Sequence, residues 1–213
     1  MQRIVLDGEP LGAAVAAAVG VLQKGGVVLY PTDTLYGLGA DAFSDEAVDK
    51  VYEIKGRDER KPMHCIVADL AMAELYAYVD NDARLLMKQL LPGALTLILK
   101  KRPHVRRGIA RGLDTIGIRI PNNELCLALA REFDRPYTAT SANVAGLPPA
   151  RSVEPIVRQL ASAAASVDLI IDAGELPPSE PSTVVDLSGE APVILREGEI
   201  PVVDVWNTIK ARE

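Results

Sequence analysis

Short β-branched runs alternate with longer helical periodicities along most of this 213-residue chain, and the alternation breaks down after residue 165. That breakdown is the main constraint on the fold. Strands that follow one another without a helix between them cannot all be joined by parallel crossovers. An α/β chain with a mixed, twisted open sheet flanked by helices is therefore expected in place of a doubly wound parallel one. The periodicity predicts helices over 11–24, 45–55, 70–78, 82–90, 124–132, 153–160 and 204–211. Strands are predicted over 27–30, 64–67, 95–99, 115–120, 136–140, 167–171, 183–187 and 193–195. Gly25-Gly26 stops the first helix, and Ser44 caps the second, which carries acids in its first turn. The proline-containing segments 148–149 and 177–181 read as loops, because periodic signals resume on both sides. Residues 1–213 are read as a single domain.

Aromatic residues make up only 4% of the chain, so a core has to be built from Val, Ile, Leu and Ala. The apolar run 11–22 is too short and Ala-rich to cross a bilayer, and the first seven residues form no signal-peptide core. A cytoplasmic protein without a membrane partner is the expectation. Cys65 and Cys126 fall in apolar segments and read as small core residues, not as half-disulfides or metal ligands.

Several chemistries lack their residues. No G-x-x-x-x-G-K-[ST] occurs, so there is no P-loop. Gly37-Leu-Gly-Ala-Asp-Ala42 fits the dinucleotide pattern in letters only, since Pro31–Tyr36 intervenes after the strand and the helix starts beyond Ser44. His64 and His104 are far apart and have no Cys/His spacing around them, so no metal cage is expected. Neither a nucleophile elbow nor an activated cysteine is visible, which argues against covalent catalysis.

Cations and hydroxyls carry the positive signals. Lys55, Arg57 and Lys61 cluster in Lys55-Gly-Arg-Asp-Glu-Arg-Lys-Pro62, inside a chain of net charge −6. Such a cluster either binds one polyanion, a triphosphate being the obvious candidate, or decorates a solvated helix end with Asp58 and Glu59 as partners. Pro31-Thr-Asp-Thr-Leu-Tyr-Gly-Leu-Gly39 and Thr140-Ser-Ala-Asn143 place polar groups just after strands, where open α/β sheets bind ligands. Arg119 interrupts an apolar strand and needs an anionic partner, structural or ligand. Ser182-Thr183 opens a strand and Arg196 closes one. Lys100, Lys101, Arg102, Arg106, Arg107 and Arg111 form an acid-free stretch, either a solvated edge or a contact for RNA phosphates.

In order, Pro31-Thr-Asp-Thr-Leu-Tyr-Gly-Leu-Gly39, Lys55-x-Arg57-x-x-x-Lys61-Pro62, Pro92-Gly-Ala-Leu-Thr96, Arg119-Ile-Pro121, Ser141-Ala-Asn143 and Leu195-Arg-Glu-Gly198 resemble the YrdC-like domain of threonylcarbamoyl-AMP synthases, over about residues 12–200. The resemblance implies a YrdC-like fold with a concave basic ligand face. It also implies a reaction in which L-threonine, bicarbonate and ATP, with Mg2+, give threonylcarbamoyl-AMP and pyrophosphate. A partner protein would then transfer the group to an adenosine of tRNA, and a contact to tRNA or double-stranded RNA is implied as well. Carried over residue by residue, the resemblance puts Lys55, Arg57 and Lys61 on the triphosphate, with Lys55 and Arg57 catalytic. Thr115, Ser141, Asn143 and Arg196 would hold the nucleotide, and Thr32, Thr34, Arg119 and Ser182 the threonine. The chain departs from the family pattern at Ala94, where a proline is usual, and at Cys65-Ile66, where members carry a polar residue. The segment from Tyr78-Val-Asp-Asn81 through Leu86-Met-Lys88 is similar to the YciO branch, whose members often lack the lysine and Ser-Ala-Asn motifs that this chain keeps.

Overall fold

Among the described residues, ten strands form one sheet whose spatial order departs widely from chain order. The computed structural model describes residues 2–7, 11–58 and 61–211. The strands are β1 (Gln2–Val5), β2 (Val28–Pro31), β3 (Tyr36–Gly39), β4 (His64–Ile66), β5 (Leu95–Lys100), β6 (Thr115–Arg119), β7 (Tyr137–Ser141), β8 (Leu169–Asp172), β9 (Thr183–Asp186) and β10 (Val193–Arg196). The helices are α1 (Leu11–Gln23), α2 (Asp45–Lys55), α3 (Leu70–Tyr76), α4 (Asn81–Leu90), α5 (Glu124–Phe133), α6 (Val153–Leu160) and α7 (Val202–Lys210). The sheet runs β1-β8-β2-β3-β7-β4-β6-β5-β9-β10. Pairings β1/β8, β2/β8, β4/β6 and β5/β9 are parallel and the others antiparallel, so the sheet is mixed as expected.

Two strands escape the sequence reading. β1 is a four-residue edge strand beside β8, too short for its period to stand out. β3 is hidden by its glycines, which strands usually avoid. Here the glycines have a packing reason. A Cβ at Gly37 would stand 2.8 Å from the Tyr30 ring, and one at Gly39 would stand 2.9 Å from it. The phenol therefore lies flat along β3, and its hydroxyl donates to the Thr138 carbonyl at 3.0 Å.

Side chains on opposite faces of the sheet feed two cores. Leu29, Cys65, Leu97 and Ile118 pack on one face against α2, α4 and α6. Val28, Tyr30, Ile66 and Leu169 pack on the other face, against α1 and α5. In-register partners share a face. The row Ile66–Arg119–Thr96–Val184 therefore lies on the α1/α5 side, and an open cleft follows this row.

A cationic cleft as the candidate functional site

The cleft encloses about 870 Å3 of space, part of it open to solvent. It is lined by the β2–β3 turn, the end of β7, β4, the end of β6, and the ends of β5, β9 and β10 that meet them. Arg57, Arg119 and Arg196 all reach it, and among the described residues no Asp or Glu is in its lining. Solvated surface would mix both signs in a chain of net charge −6. Three guanidiniums gathered without a lining carboxylate make a site for an anion.

Local geometry sends each cation its own way. Ser44 accepts from the Ala47 amide at 3.2 Å and starts α2 as predicted. Gly56 ends it in the left-handed region, at φ 55°, where a side chain would be strained. The turn separates Lys55 from Arg57. Lys55 points inward and is 2% exposed. Its ammonium donates to the carbonyls of Ser141 and Asn143 and to Asn143 Oδ1, the latter two at 2.9 and 3.2 Å. Three acceptors occupy its three donors. Burial, reinforced by the nearby Arg57 charge, lowers its pKa to about 7. Arg57 instead turns to the cleft, and donates to the Lys61 and Pro62 carbonyls at 3.3 and 2.9 Å.

Arg119 has a structural partner. Its guanidinium donates to Asp33 Oδ1 at 2.6 Å and to Thr34 Oγ1 at 3.0 Å. The other oxygen of Asp33 accepts from the Asn122 amide at 2.9 Å. Arg119 Nε is left over. Among the described residues it is the one buried side-chain nitrogen or oxygen without a hydrogen-bond partner. Thr32 Oγ1 accepts from the Thr34 and Leu35 amides at 3.0 and 3.1 Å and donates to the Leu35 carbonyl at 2.7 Å, which fixes the turn that presents both threonines.

On the far side of the cleft, Arg196 donates to the Ser182 carbonyl from Nε and Nη2, at 3.0 and 2.8 Å. Ser182 Oγ lies 2.9 Å from Thr96 Oγ1. Partial burial of the guanidinium, then repulsion from Arg119 and Arg57, lowers the Arg196 pKa.

Of the residues expected at a site, Thr32, Thr34, Arg57, Arg119, Ser141, Ser182 and Arg196 line this one cleft. Lys55 and Asn143 stand behind the lining as its support. Asn143 Nδ2 donates to the Val144 and Leu147 carbonyls, and Ser141 Oγ donates to Asn143 Oδ1 at 2.5 Å. Lys61 is exposed and outside the lining, and Thr115 is half-buried at the start of β6, also outside it. Glu59, named as an ion-pair partner of the cluster, lies outside the described residues. Tyr36, Thr96 and Thr140 line the cleft from within motifs named above but without an assigned role, and His64 lines it from outside them. Thr96 closes the Pro92-Gly-Ala-Leu-Thr96 motif, but a histidine in a short strand gives no such cue.

Two of the six cations of the acid-free stretch are engaged elsewhere. Arg102 donates to the Glu74 and Ala77 carbonyls and lies 4.3 Å from the Tyr78 ring centroid, and Arg111 pairs with Asp49 at 2.8 Å. Both cysteines are free and buried, as expected. No helix among the described residues is long and apolar enough to cross a membrane.

Fold and cleft together define an α/β domain with an arginine-lined pocket on the open face of a mixed sheet. Residues 20–198 match the family model for Sua5, YciO and YrdC proteins, described as "Telomere recombination", and the chain belongs to that family. It is 37% identical over 193 residues to a threonylcarbamoyl-AMP synthase of Pyrococcus abyssi, covering 90% of this chain and 56% of the relative. It is 39% identical over 188 residues to one of Bacillus subtilis, covering 87% and 54%. The chain thus spans about half the length of these curated relatives. Among solved structures, P. abyssi Sua5 complexed with L-threonine superposes with a TM-score of 0.88 at 34% identity, covering 98% of this chain and 60% of that one. E. coli YciO superposes at 0.81 and 33%, covering 94% and 96%.

Proposed function

We propose that this chain is a threonylcarbamoyl-AMP synthase domain, a nucleotidyltransferase. It would make threonylcarbamoyl-AMP and pyrophosphate from L-threonine, bicarbonate and ATP, with the product passed to a partner that modifies tRNA. The observation that carries this reading is the convergence of Arg57, Arg119 and Arg196 on one cleft whose described lining holds no carboxylate. Bicarbonate, ATP and the carbamate formed from threonine and bicarbonate are anions that this charge would hold.

The amino group of threonine, as the free amine, attacks bicarbonate with loss of water and gives the carbamate. A carbamate oxygen then attacks the α-phosphorus of ATP, and the bond to the β-phosphate oxygen breaks to release pyrophosphate. The substrate supplies its own nucleophile, so the protein's work is positioning and charge neutralisation. In this reading Arg57 and Arg196 hold phosphates. Arg119 takes the threonine carboxylate beside Thr32, Thr34 and Ser182. Lys55 acts one layer back, fixing the Ser141–Asn143 turn against the nucleotide. Magnesium would arrive with the nucleotide, as no grouping of three or more His, Cys, Asp or Glu among the described residues could hold a metal ion.

The test is pyrophosphate release from ATP. Release that requires both threonine and bicarbonate, and is lost in Arg57→Ala, supports the synthase. Release indifferent to threonine removes it. The end-to-end likeness to E. coli YciO favours a second reading, a relative that does not make threonylcarbamoyl-AMP. Threonine binding with no pyrophosphate release would select that one.

A further inference from the structure

His64 belongs to this cleft and has no part in the reading above. It opens β4, where its cross-strand neighbours are Gly117 on β6 and Ala139 on β7. Both positions are almost empty of side chain, and the imidazole uses the room. A Cβ built at Gly117 would come within 2.5 Å of His64 Cδ2. The ring is half-buried, lines the cleft, and makes no hydrogen bond among the described residues. Yet Arg119 Nε is the one buried side-chain nitrogen or oxygen left without a partner. Neither imidazole nitrogen is therefore a sealed atom, and the ring they belong to lines the cleft.

Among the described residues, the charged groups acting on this ring are all cationic. Arg196 comes from β10, Arg57 from the loop after α2, and Arg119 from β6. β7 contributes only Ala139, Thr140 and Ser141 to the lining, and Tyr30 and Tyr36 from the hairpin stay neutral, with pKa values raised by burial. Asp33, the carboxylate paired with Arg119, is already taken by that guanidinium and the Asn122 amide. Burial first, and then the three guanidiniums, lower the His64 pKa to about 4, so in the empty cleft the ring is neutral. A polyanion among those guanidiniums would reverse the field. A negative charge within roughly 4–6 Å favours the charged form of a base, and a triphosphate brings several.

We propose that His64 is a further contact residue for the polyanionic ligand of this cleft, its imidazole taking up one proton from solvent as the phosphates bind and becoming a fourth cation beside Arg57, Arg119 and Arg196. Neutral when empty, the ring spares the site a further like charge, and it adds that charge only when the ligand compensates for it. The inference rests on the nucleotide reading of the site and goes beyond it to one residue and one proton.

The test is calorimetric titration of the protein with a non-hydrolysable ATP analogue at pH 6.5. Two buffers of different ionisation enthalpy are used, on wild type and on His64→Gln. Wild type is expected to take up at least half a proton more per bound ligand than the variant. The affinity ratio between them should be about three- to tenfold at pH 6 and close to one at pH 8.5. Because His64 and His104 are the only histidines, a His104→Gln background leaves one imidazole resonance, which should move to the protonated position on ligand addition. Ligand that binds both proteins with equal proton uptake, or leaves that resonance neutral, overturns the inference and leaves the nucleotide reading standing. A thermal melt of His64→Gln within a few degrees of wild type shows that the comparison is between folded proteins. No binding to wild type overturns both.

Discussion

Replacing Lys55 by Met sets two large opposing terms against each other, and pH separates them. The ammonium is 2% exposed and its pKa is lowered from 10.5 to about 7. The unfolded chain therefore binds more protons than the folded one between these values, and wild-type stability rises as pH climbs through that window. Linkage with these two values gives a folding penalty of about 4 kcal/mol at pH 7 and about 2 kcal/mol at pH 9. Opposing it are bonds to the Ser141 and Asn143 carbonyls and Asn143 Oδ1, each worth roughly 1.5–3 kcal/mol to a charged donor. Lys55→Met removes the penalty together with the three bonds, leaving the Asn143 carbonyl without its donor while Ser141 O and Asn143 Oδ1 keep the Asn143 amide and the Ser141 hydroxyl, so a net loss of about 2 kcal/mol is expected at pH 7. The decisive quantity is the change in that loss. The gap between wild type and Lys55→Met should widen by about 2 kcal/mol from pH 7 to pH 9, because only wild type gains stability there. Urea unfolding of both proteins at the two pH values measures it. A gap that stays constant would mean that the carbonyl cage holds the ammonium charged throughout, and the argument from burial would be refuted.

Three further outcomes are expected. Arg57→Ala, which takes a donor from the Pro62 carbonyl at a half-buried position while the Lys61 carbonyl keeps the Tyr52 hydroxyl, should change stability by under about 1 kcal/mol while weakening nucleotide binding at least tenfold, read by calorimetry; unchanged affinity would take Arg57 off the ligand. Arg119→Ala should destabilise by roughly 3–5 kcal/mol, since it leaves the Asp33 carboxylate in a mostly buried pocket without its partner, and Arg119→Ala in an Asp33→Asn background should lose clearly less, as a double-mutant cycle by denaturation would show. Gly37→Ala should cost roughly 1–3 kcal/mol by pushing the Tyr30 ring off β3, visible as a lower Tm; a neutral result would mean the ring has room to move.

How much of this is readable from the sequence depends on whether a residue's surroundings are local. Most helices and strands follow from period and punctuation, and α2 runs over its predicted residues because Ser44 and Gly56 are both local signals. Strand order is not local, since nothing near residue 95 announces that β5 will pair with β9 eighty-odd residues on. β3 was lost for the same reason, because its glycines make sense only beneath Tyr30 of the neighbouring strand. The site divides likewise. Arg119 and Arg196 are conspicuous as cations at the ends of apolar strands, and the structure brings both to the cleft. Lys55 and Arg57 look equivalent in the sequence, two cations on one motif, but a left-handed glycine between them gives them opposite directions. The single-residue spacing then has a physical meaning. One turn of backbone lets the first cation stiffen the Ser141–Asn143 turn from behind while the second faces the ligand from in front. Lys61, beyond that turn and exposed, has no such constraint. His64 was unreadable because its chemistry comes entirely from others: a glycine on β6 that makes room for the ring, and three arginines from elsewhere in the chain that decide its charge.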